Sequence, residues 1–424
     1  MNLNSASPSE LKQIKASLLE QLASFTSLGL ALDLTRGKPS AQQLSLSNAL
    51  GNIDVADFKD HGVDTRNYGG LYGTDSARQL GAEILDVLPE ETLAGGNSSL
   101  TLMYQSILFA YLFGPGDSTP WKNETTIRFL CPSPGYDRHF AICEEFGIEM
   151  IAINMTENGP DMDQVENLIK TDPSIRGMWC VPKYSNPTGC IYSDETVERI
   201  ARLGLIAHKG FRIFWDNAYA VHDLVVPPRQ LASLMQCAKK HGTEQSVYLY
   251  SSTSKVTFAG SGIAFFAATK ENLASFSKHL GIATIGPDKV NQLKHTRFIS
   301  DMGHLHRHMQ KHAELLKPRF EAVLNGLEKA LGLDGQYGVW SRPEGGYFIS
   351  FDTLPGLASE VVSLTEAAGV KLTPAGATFP YGKDPEDKNI RLAPSFASIE
   401  DIKKAIEVFT VCVRLATVNK RLTD

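Results

Sequence analysis

Between about residue 75 and about residue 270, short apolar runs alternate with stretches of helical periodicity. The runs read TIRFLCP, EMIAINM, RGMWCVP, FRIFWDNAY, SVYLYSS and IAFFAAT. Because they show no regular polar alternation, they are typical of strands that are covered on both faces. The alternation predicts an α/β fold with βαβ units around a mostly parallel, doubly wound sheet. In such sheets functional residues collect at the carboxyl ends of the strands.

The pattern changes after about residue 285. A long charged helix is predicted over HLHRHMQKHAELLKPRFEAVLNGLEKAL. It is followed by the strand-like runs YFISFD and IRLAPSF and by a terminal amphipathic helix. This mixture of helices and strands indicates a smaller α+β unit. Near the start of the chain, Ser7, Pro8 and Glu10 supply the N-cap, first-turn proline and capping-box acid of a helix. The predicted parts are an N-terminal helix and arm, a large domain and a small C-terminal domain, at residues 1–50, 51–285 and 286–424.

Composition and charge restrict the expected partners. The chain has 424 residues, of which 42% are hydrophobic, and its formal net charge is -6, which argues against nonspecific binding to nucleic acid or to an anionic membrane surface. The longest apolar stretch, LTLMYQSILFAYLFG, is too short for a membrane span, and the first residues lack the pattern of a signal peptide. Six scattered cysteines without a CxxC pair favour a reducing cytoplasm over disulfides or a zinc site. A small-molecule partner is therefore expected.

Four histidines, His304, His306, His308 and His312, lie close together in the predicted long helix. Their spacing places His304 with His308, and His308 with His312, on one helix face, which allows a metal site. No acidic or cysteine partner accompanies them, so we expect a solvated surface and no metal.

Residues that can do chemistry follow several of the predicted strands. Asp216 ends the run FRIFWD, with Tyr219 three positions on, and is either a cap for the next helix or a functional carboxylate. Asn186 stands in an Asn-Pro turn after RGMWCVP, and Tyr136 and His139 follow TIRFLCP. We expect these side chains to lie at the same edge of the sheet.

Two further stretches complete this set. Asn97, Ser98 and Ser99 precede an apolar helix, and they either bind a phosphate at its N-terminus or form an ordinary N-cap. Lys255 follows a predicted buried strand, where burial would lower its pKa as a Schiff-base amine requires, unless the side chain extends to solvent. Together the residues supply what pyridoxal phosphate needs: a phosphate anchor, a stacking ring, a donor to the ring oxygen, an anion for the ring nitrogen and an amine for the aldehyde.

In this order the motifs resemble those of the fold-type I pyridoxal-phosphate-dependent aminotransferases. The resemblance covers nearly the whole chain, through LDLTRGKPS, NYGGLYG, GGNSSL, PSPGY, SNPTG, DNAY, STSK, PEGGYF and IRLAPS. Within the family, TRGKP, GNSSL and STSKVTFAGSG are similar to a bacterial subgroup of aspartate aminotransferases or MocR-family aminotransferases. The resemblance implies pyridoxal 5'-phosphate as the cofactor and a large domain, with a mostly parallel doubly wound sheet, beside a smaller α+β domain.

The resemblance also implies roles for individual residues. Lys255 matches the lysine that forms the Schiff base and moves protons, and Asp216 matches the partner of the pyridine nitrogen. His139 stands where a histidine supports that aspartate. Tyr219 and Asn186 match the donors to the phenolic oxygen of the cofactor, and the ring that stacks on the cofactor face is matched by Tyr136.

For the phosphate, the resemblance implies four contacts within the chain, namely Asn97, Ser98, Ser99 and Ser252. Tyr68 matches a residue that reaches the phosphate from a neighbouring subunit, which implies a homodimer with shared active sites. The chain departs from the family after the lysine, because the usual phosphate-binding arginine is replaced within Gly260, Ser261 and Gly262. Another cation or extra hydroxyl groups must then balance the phosphate, and Ser261 is a candidate.

For the substrate, Arg391 matches the arginine that binds the α-carboxylate, and Gly37 lies where the N-terminal segment closes over the site. A dicarboxylate substrate needs a second cation, since a buried carboxylate without a partner is costly. Arg36 and Lys38 are candidates for that cation, or else they belong to a solvated loop.

The resemblance favours transamination between an L-amino acid, aspartate first, and a 2-oxo acid, 2-oxoglutarate. A β-lyase or a decarboxylase remains an alternative, because the fold hosts such reactions too. A non-catalytic effector module of a transcription regulator is disfavoured, because only about 35 residues precede LDLTRGKPS. The sequence leaves open whether Cys190, near the Asn186 turn, lies at the cofactor.

Overall fold

A computed structural model of the chain describes residues 3, 6–55 and 57–423. Its helices are α1 (Pro8–Ser27), α2 (Ala41–Ser45), α3 (Asp75–Leu85), α4 (Ser99–Phe113), α5 (Asp137–Glu145), α6 (Met162–Thr171), α7 (Asp194–Ala201), α8 (Leu234–His241), α9 (Lys270–Ala283), α10 (Lys289–Phe298), α11 (Met302–Leu331), α12 (Ala358–Ala367) and α13 (Ile399–Thr423). Its strands are β1 (Leu32–Asp33), β2 (Lys59–Asp60), β3 (Val63–Asp64), β4 (Thr92–Ala94), β5 (Arg128–Ser133), β6 (Glu149–Thr156), β7 (Gly159–Pro160), β8 (Ile175–Cys180), β9 (Arg212–Asp216), β10 (Val247–Ser252), β11 (Ala264–Ala267), β12 (Gly338–Trp340), β13 (Ile349–Thr353), β14 (Val370–Lys371) and β15 (Asn389–Leu392). None of these described helices is long and apolar enough to cross a membrane.

The central sheet has eight strands in the order β4-β11-β10-β9-β8-β5-β6-β7. The five strands from β10 to β6 pair in parallel, whereas β11 is antiparallel to β10 and β4, and β7 is antiparallel to β6. Every residue of β8, β9 and β10 is buried, because helices cover both faces of such a sheet. All six apolar runs form strands here, so the predicted mostly parallel α/β architecture is confirmed.

The C-terminal part contains a three-stranded antiparallel sheet of order β12-β13-β15. Helices α1 and α11 both pack along α13, and the apolar core between these elements includes Leu18, Phe351 and Phe409. Helix α1 begins at the predicted capping box, where Ser7 and Glu10 hydrogen-bond reciprocally. The N-terminal helix therefore joins the core of the C-terminal part, and β1 pairs with β14 beside it.

Helix α10 and the first turns of α11 pack with the core of the central sheet. Phe298, Leu305 and Met309 belong to the same apolar cluster as Ile213 of β9. The predicted division of the chain at residues 50 and 285 stays a prediction. Its end residues, 1 and 424, lie outside the described residues.

The chain order of the parallel strands reverses beside β5. Strand β6 lies on one side of β5, and β8, β9 and β10 follow in turn on the other side. In doubly wound sheets such a reversal leaves a crevice at the carboxyl ends of the strands. Strand β9 ends at Asp216, and the segments after β5, β8 and β10 carry Tyr136, Asn186 and Lys255. The topology thus brings these residues to one edge of the sheet.

Candidate active site

A cavity of about 870 Å³ opens at this edge of the central sheet. Its walls come from the carboxyl ends of the parallel strands, the N-terminal arm and strand β15 with the segment after β14. Ten of the candidate residues line it, namely Arg36, Gly37, Lys38, Ser99, Tyr136, Asn186, Asp216, Tyr219, Lys255 and Arg391. The fold therefore brings together residues that are up to 355 positions apart in the sequence.

Lys255 lies three residues beyond the end of β10 and is half-buried at the cavity wall. Its Nζ atom lies 4.9 Å from the centroid of the Tyr219 ring, and it makes no hydrogen bond or ion pair within the described residues. Burial lowers the pKa of the Lys255 amine, while the negative charge of Asp216 acts in the opposite direction. A lowered pKa increases the fraction of unprotonated, nucleophilic amine near neutral pH.

Asp216 is the last residue of β9 and is only 3% exposed. One carboxylate oxygen, Oδ2, lies 3.0 Å from Nε2 of His139, which therefore donates the hydrogen bond. The other oxygen, Oδ1, is buried and has no hydrogen-bond partner among the described residues. The His139 ring stacks on Trp179, with centroids 4.2 Å apart and planes within 8°. His139 is thus held in place and fixes one side of the carboxylate.

The hydroxyl groups of Tyr136 and Tyr219 keep their protons in this cavity. Burial raises the pKa of Tyr136 to about 12 and raises the pKa of Tyr219 well above its ordinary value. Asn186 is buried, and its Oδ1 atom accepts a hydrogen bond of 3.3 Å from Nη1 of Arg391. Its amide N–H groups remain available as donors. The cavity therefore presents two phenolic donors and one amide donor.

Arg391 stands on β15 and is 7% exposed. Its Nη1 atom donates to Asp137 Oδ1 at 3.0 Å, and its Nη2 atom donates to Thr373 Oγ1 at 3.3 Å. The guanidinium carbon lies 4.9 Å from the centroid of the Phe348 ring. Nε is buried without a hydrogen-bond partner in the part of the chain that the structure describes. These contacts fix the plane of the guanidinium group and leave a donor for a carboxylate.

Gly37 approaches the same Phe348 ring so closely that a Cβ atom at this position would overlap it. The arm that carries Gly37 can lie against the cavity only because residue 37 has no side chain. Arg36 and Lys38, on either side, are exposed. The Lys38 Nζ atom lies 3.9 Å from the centroid of the Phe396 ring, whereas the Arg36 side chain makes no hydrogen bond or ion pair with any described residue.

The N-terminus of α4 lies beside Lys255. Ser98 is the N-cap, and its Oγ atom accepts the hydrogen bond from Thr101 N, as an ordinary capping residue does. Ser99 opens the helix and lines the cavity. Asn97 connects this turn to the segment around Lys255, since its carbonyl oxygen accepts from Ser254 Oγ at 3.0 Å and its Nδ2 donates to Gly260 O at 3.1 Å. The buried Ser252 accepts from Ser254 N at 3.4 Å.

Besides Asn97, Ser98, Ser252 and His139, three more candidates do not line the cavity. Tyr68 is 85% exposed on the surface of the single chain. Ser261 is exposed, and its backbone makes two hydrogen bonds, from its N–H group to Phe258 O and from Asn291 Nδ2 to its carbonyl oxygen. The thiol of Cys190 donates to Glu157 O at 3.2 Å, and burial raises the pKa of this thiol to about 12. Cys190 is therefore a packed thiol outside the cavity.

Several residues of the cavity were not predicted from the sequence. Asp137 and Arg138 line it directly after Tyr136, and Phe348, Lys371 and Thr373 line it from the C-terminal part. Asp137 and Arg138 follow Tyr136 in the motif CPSPGYDRHF, which could have drawn attention to them. Phe348 ends the motif PEGGYF, whereas no comparable signal marks Lys371 and Thr373, because only the fold brings them to the sheet edge.

The expectation of a solvated histidine surface is wrong for two of the four histidines. His308 and His312 are buried, whereas His306 is exposed. The reason is helical periodicity, since His308 and His312 share the buried face of α11 with the apolar side chains between Leu305 and Leu316. Among the described residues, no group of three or more His, Cys, Asp or Glu side chains could hold a metal ion.

Known proteins resemble the chain over nearly its whole length. The sequence profile of a family described as aspartate amino-transferase matches residues 6–424. A protein of Mycolicibacterium smegmatis that is named as an aminotransferase is 48% identical over 93% of this chain and 93% of its own. An aspartate aminotransferase of Corynebacterium glutamicum is 45% identical over 92% of this chain and 90% of its own.

Solved structures show the same relation. The structure of an aspartate transaminase from Corynebacterium glutamicum matches with a TM-score of 0.94 and 42% identity, and the match covers 98% of this chain and 99% of that one. An aminotransferase from Corynebacterium diphtheriae matches with a TM-score of 0.92 and 45% identity, over 95% of this chain and 100% of that one.

Proposed function

The chain belongs to the aspartate aminotransferase family and is a pyridoxal-phosphate-dependent aminotransferase, and on that premise we propose that it exchanges an amino group between L-aspartate and 2-oxoglutarate. The resemblance drawn from the sequence motifs is thereby confirmed at the level of the family, the fold and the cofactor. The observation that carries the substrate proposal is the convergence of Lys255, Asp216 and Arg391 on one cavity. The relative from Corynebacterium glutamicum, named as an aspartate aminotransferase, supports it.

The residues of the cavity fit pyridoxal phosphate by the chemistry of their unpaired groups. Asp216 Oδ1 is a buried acceptor without a partner among the residues described, as a protonated ring nitrogen requires. The Lys255 amine, with its lowered pKa, suits an aldehyde. The phenol of Tyr219 and the amide of Asn186 supply donors for the ring oxygen, and the N-terminus of α4 suits the phosphate.

When bound, the cofactor supplies an aldehyde that takes up the amino group and a ring that withdraws electrons from the α carbon of the substrate. We propose that Lys255 would hold the cofactor covalently through Nζ. The amine of Lys255, when free, would move the proton to and from the α carbon of the substrate. Asp216 would keep a proton on the ring nitrogen through Oδ1. His139 would hold Asp216 in place through Oδ2, because its ring is itself fixed by stacking.

Tyr219 and Asn186 would bind the ring oxygen, and Tyr136 would lie against the ring face. For the phosphate we propose the hydroxyl and backbone donors at the start of α4 and at the end of β10, namely Asn97, Ser98, Ser99 and Ser252. Because Ser98 Oγ already caps the helix, its contribution would come from its N–H group. The Ser254 hydroxyl already donates its proton to Asn97 O, so Ser261 stays the proposed extra hydroxyl.

The exposed Tyr68 supports a homodimer in which this residue reaches the phosphate of a second copy. We propose this dimer, a cytoplasmic location and the division into parts 1–50, 51–285 and 286–424 as working assignments. Membership of the MocR subgroup stays a prediction.

Arg391 is proposed to bind the substrate α-carboxylate through its unpaired Nε edge. Gly37 would let the arm close over the substrate. For the second carboxylate of aspartate, Arg36 is the stronger of the two candidates. Its guanidinium group lines the cavity without a partner among the described residues, whereas the Lys38 amine lies on the Phe396 ring.

The test is the visible spectrum of the purified holoenzyme, recorded while aspartate, glutamate, alanine and phenylalanine are added in turn. We expect aspartate and glutamate to convert the cofactor stoichiometrically to its amine form, without release of pyruvate or ammonia. Release of pyruvate or ammonia would assign the protein to the β-lyases instead, and release of CO2 from aspartate would assign it to the decarboxylases. Alanine reacting as readily as aspartate would refute a dicarboxylate site, and the Lys255→Ala protein is the control without the covalent link.

A further inference from the structure

Three consecutive residues, 255–257, each contact a different buried histidine. The contacts join Lys255 O to His222 Nε2 at 3.3 Å, Val256 O to His308 Nε2 at 2.8 Å, and Thr257 Oγ1 to His295 Nε2 at 2.9 Å. All three imidazole rings are buried. Two of the contacts reach the main chain at or directly beside Lys255. We call His222, His295 and His308 the histidine clamp.

The histidine clamp draws on three separate parts of the fold. His222 follows β9, six residues after Asp216, while His295 lies on α10 and His308 on α11. The segment that carries Lys255 is thus tied to the central sheet on one side and to two helices on the other. A lysine side chain is long and flexible, so the position of its amine depends on how firmly its backbone is held.

Each ring of the clamp has one protonation state that suits its contact. Burial lowers the pKa of His222, of His295 and of His308, which favours the neutral rings. A carbonyl oxygen only accepts, so Nε2 carries the proton in His222 and in His308. In His295, Nδ1 lies 2.9 Å from Asn291 O and carries the proton, which leaves Nε2 to accept from the hydroxyl group facing it.

Further polar groups lie close to His308 Nε2. His312, one helical turn along α11, places its Nε2 atom 3.2 Å from His308 Nε2. Gln43 places Nε2 3.3 Å from His312 Nδ1 and donates from the same nitrogen to the hydroxyl of the buried Tyr347 at 2.9 Å. The Ser47 hydroxyl lies 3.3 Å from His308 Nε2. The clamp is therefore part of a connected polar network, which a nonpolar core would not need.

We propose that His222, His295 and His308 are positioning residues that fix the backbone of residues 255–257 and thereby set the place of the Lys255 amine in the cavity. This rests on the proposed role of Lys255 as the reactive amine. None of the three rings lines the cavity, so they act through the Lys255 backbone. Because misplacement of a reacting group by about 1 Å can cost about 100-fold in rate, loosening the clamp should affect proton transfer more than substrate binding.

The experiment compares His308→Leu, which removes the donor to Val256 O, with His308→Gln, whose side-chain amide can still donate there. His306→Leu is the matched control, because His306 is exposed on the same helix. We measure kcat and KM with aspartate, the pH titration of the visible absorption band of the holoenzyme and its thermal midpoint. For His308→Leu we expect kcat to fall about 10-fold or more with KM changed less than about 3-fold, and a displaced pH titration of the band.

His308→Gln should recover most of kcat and the wild-type titration, and His306→Leu should match the wild type in both. A folded His308→Leu protein with the kcat and titration of His306→Leu would overturn the proposal, and so would a His308→Gln protein as impaired as His308→Leu. If His308→Leu does not fold, Thr257→Val takes its place, because it removes the hydroxyl facing His295 with little change of shape. A lower kcat and a displaced titration would then support the proposal, and values equal to those of His306→Leu would overturn it. Lys255→Ala separates the two hypotheses, since wild-type turnover there would refute the proposed function itself.

Discussion

The buried ring of His312 makes the stability of the protein depend on pH in a way that an exposed histidine would not. His312 is 1% exposed, and burial, assisted by the neighbouring His308, lowers its pKa from the ordinary value of 6.5 to about 4. In the unfolded chain the ring takes up a proton near the ordinary value, whereas in the folded protein it stays neutral to a lower pH. Between these two values the unfolded state binds more protons, so stability falls as the pH falls.

The size of the effect follows from the gap between the two pKa values. Each pH unit of difference is worth about 1.4 kcal/mol, so the gap corresponds to about 3 kcal/mol in total. The contribution is fully present above pH 6.5, declines between 6.5 and about 4, and changes no further below that. At about pH 5 roughly 2 kcal/mol of it should already be lost. Since single changes of about 1 to 2 kcal/mol are readily measured in folded proteins, the loss is detectable.

The assay is the free energy of unfolding in urea at about pH 7.5 and about pH 5, at one protein concentration and with saturating cofactor. His312→Gln removes the titrating ring and keeps an amide toward Gln43. Its unfolding free energy should fall by about 2 kcal/mol less than that of the wild type over this interval. His306→Gln, exposed on the same helix, should behave as the wild type. Equal losses in the wild type and in His312→Gln would refute the reasoning, because they would mean that the ring titrates normally in the folded protein.

Three further substitutions test the cavity. Gly37→Ala adds a Cβ atom that overlaps the Phe348 ring, so we expect KM for aspartate to rise about 10-fold with the cofactor dissociation constant unchanged, and an unchanged KM would contradict the close approach. Arg391→Lys replaces a planar guanidinium group by a single ammonium group, so kcat/KM should fall about 100-fold for every amino acid tested. A loss confined to aspartate would mean that Arg391 binds the side-chain carboxylate of the substrate and not its α-carboxylate. His139→Phe removes the donor to Asp216 Oδ2, and the cofactor should bind about 10-fold more weakly by fluorescence titration. Unchanged cofactor affinity would show that the donor does not support the aspartate.

The central sheet could be predicted because burial on both faces leaves a clear record in the sequence. The runs that became β9 and β10 are mostly apolar before their ends, so the polar residues at their ends stand out, Asp216 among them. Most residues of the site could then be predicted from the polar residues that end or follow these strands. Strand β4, by contrast, has three residues and is too short to show any periodicity.

The parts of the site that could not be predicted depend on contacts between distant segments. Asp137 and Arg391 are 254 positions apart, and their ion pair exists only because β15 meets the start of α5 beside the cavity.

The buried histidines could not be predicted for a different reason. His308 and His312 have the spacing of a helical face, but the sequence does not tell which face of a polar helix is covered, and histidine is compatible with either.

Asp216, proposed to bind the cofactor, and Arg391, proposed to bind the substrate, are held in the same way. Asp216 is fixed through Oδ2 by His139, and Arg391 is fixed through Nη1 and Nη2 by its protein partners, yet each keeps one buried polar atom without a partner among the described residues, Oδ1 and Nε respectively. An unpaired buried polar atom costs about 1 to 3 kcal/mol, and folding alone gives no reason to keep two of them in one cavity. A cofactor nitrogen and a substrate carboxylate would pair with both, so the cavity is better explained by what it binds than by the stability of the fold.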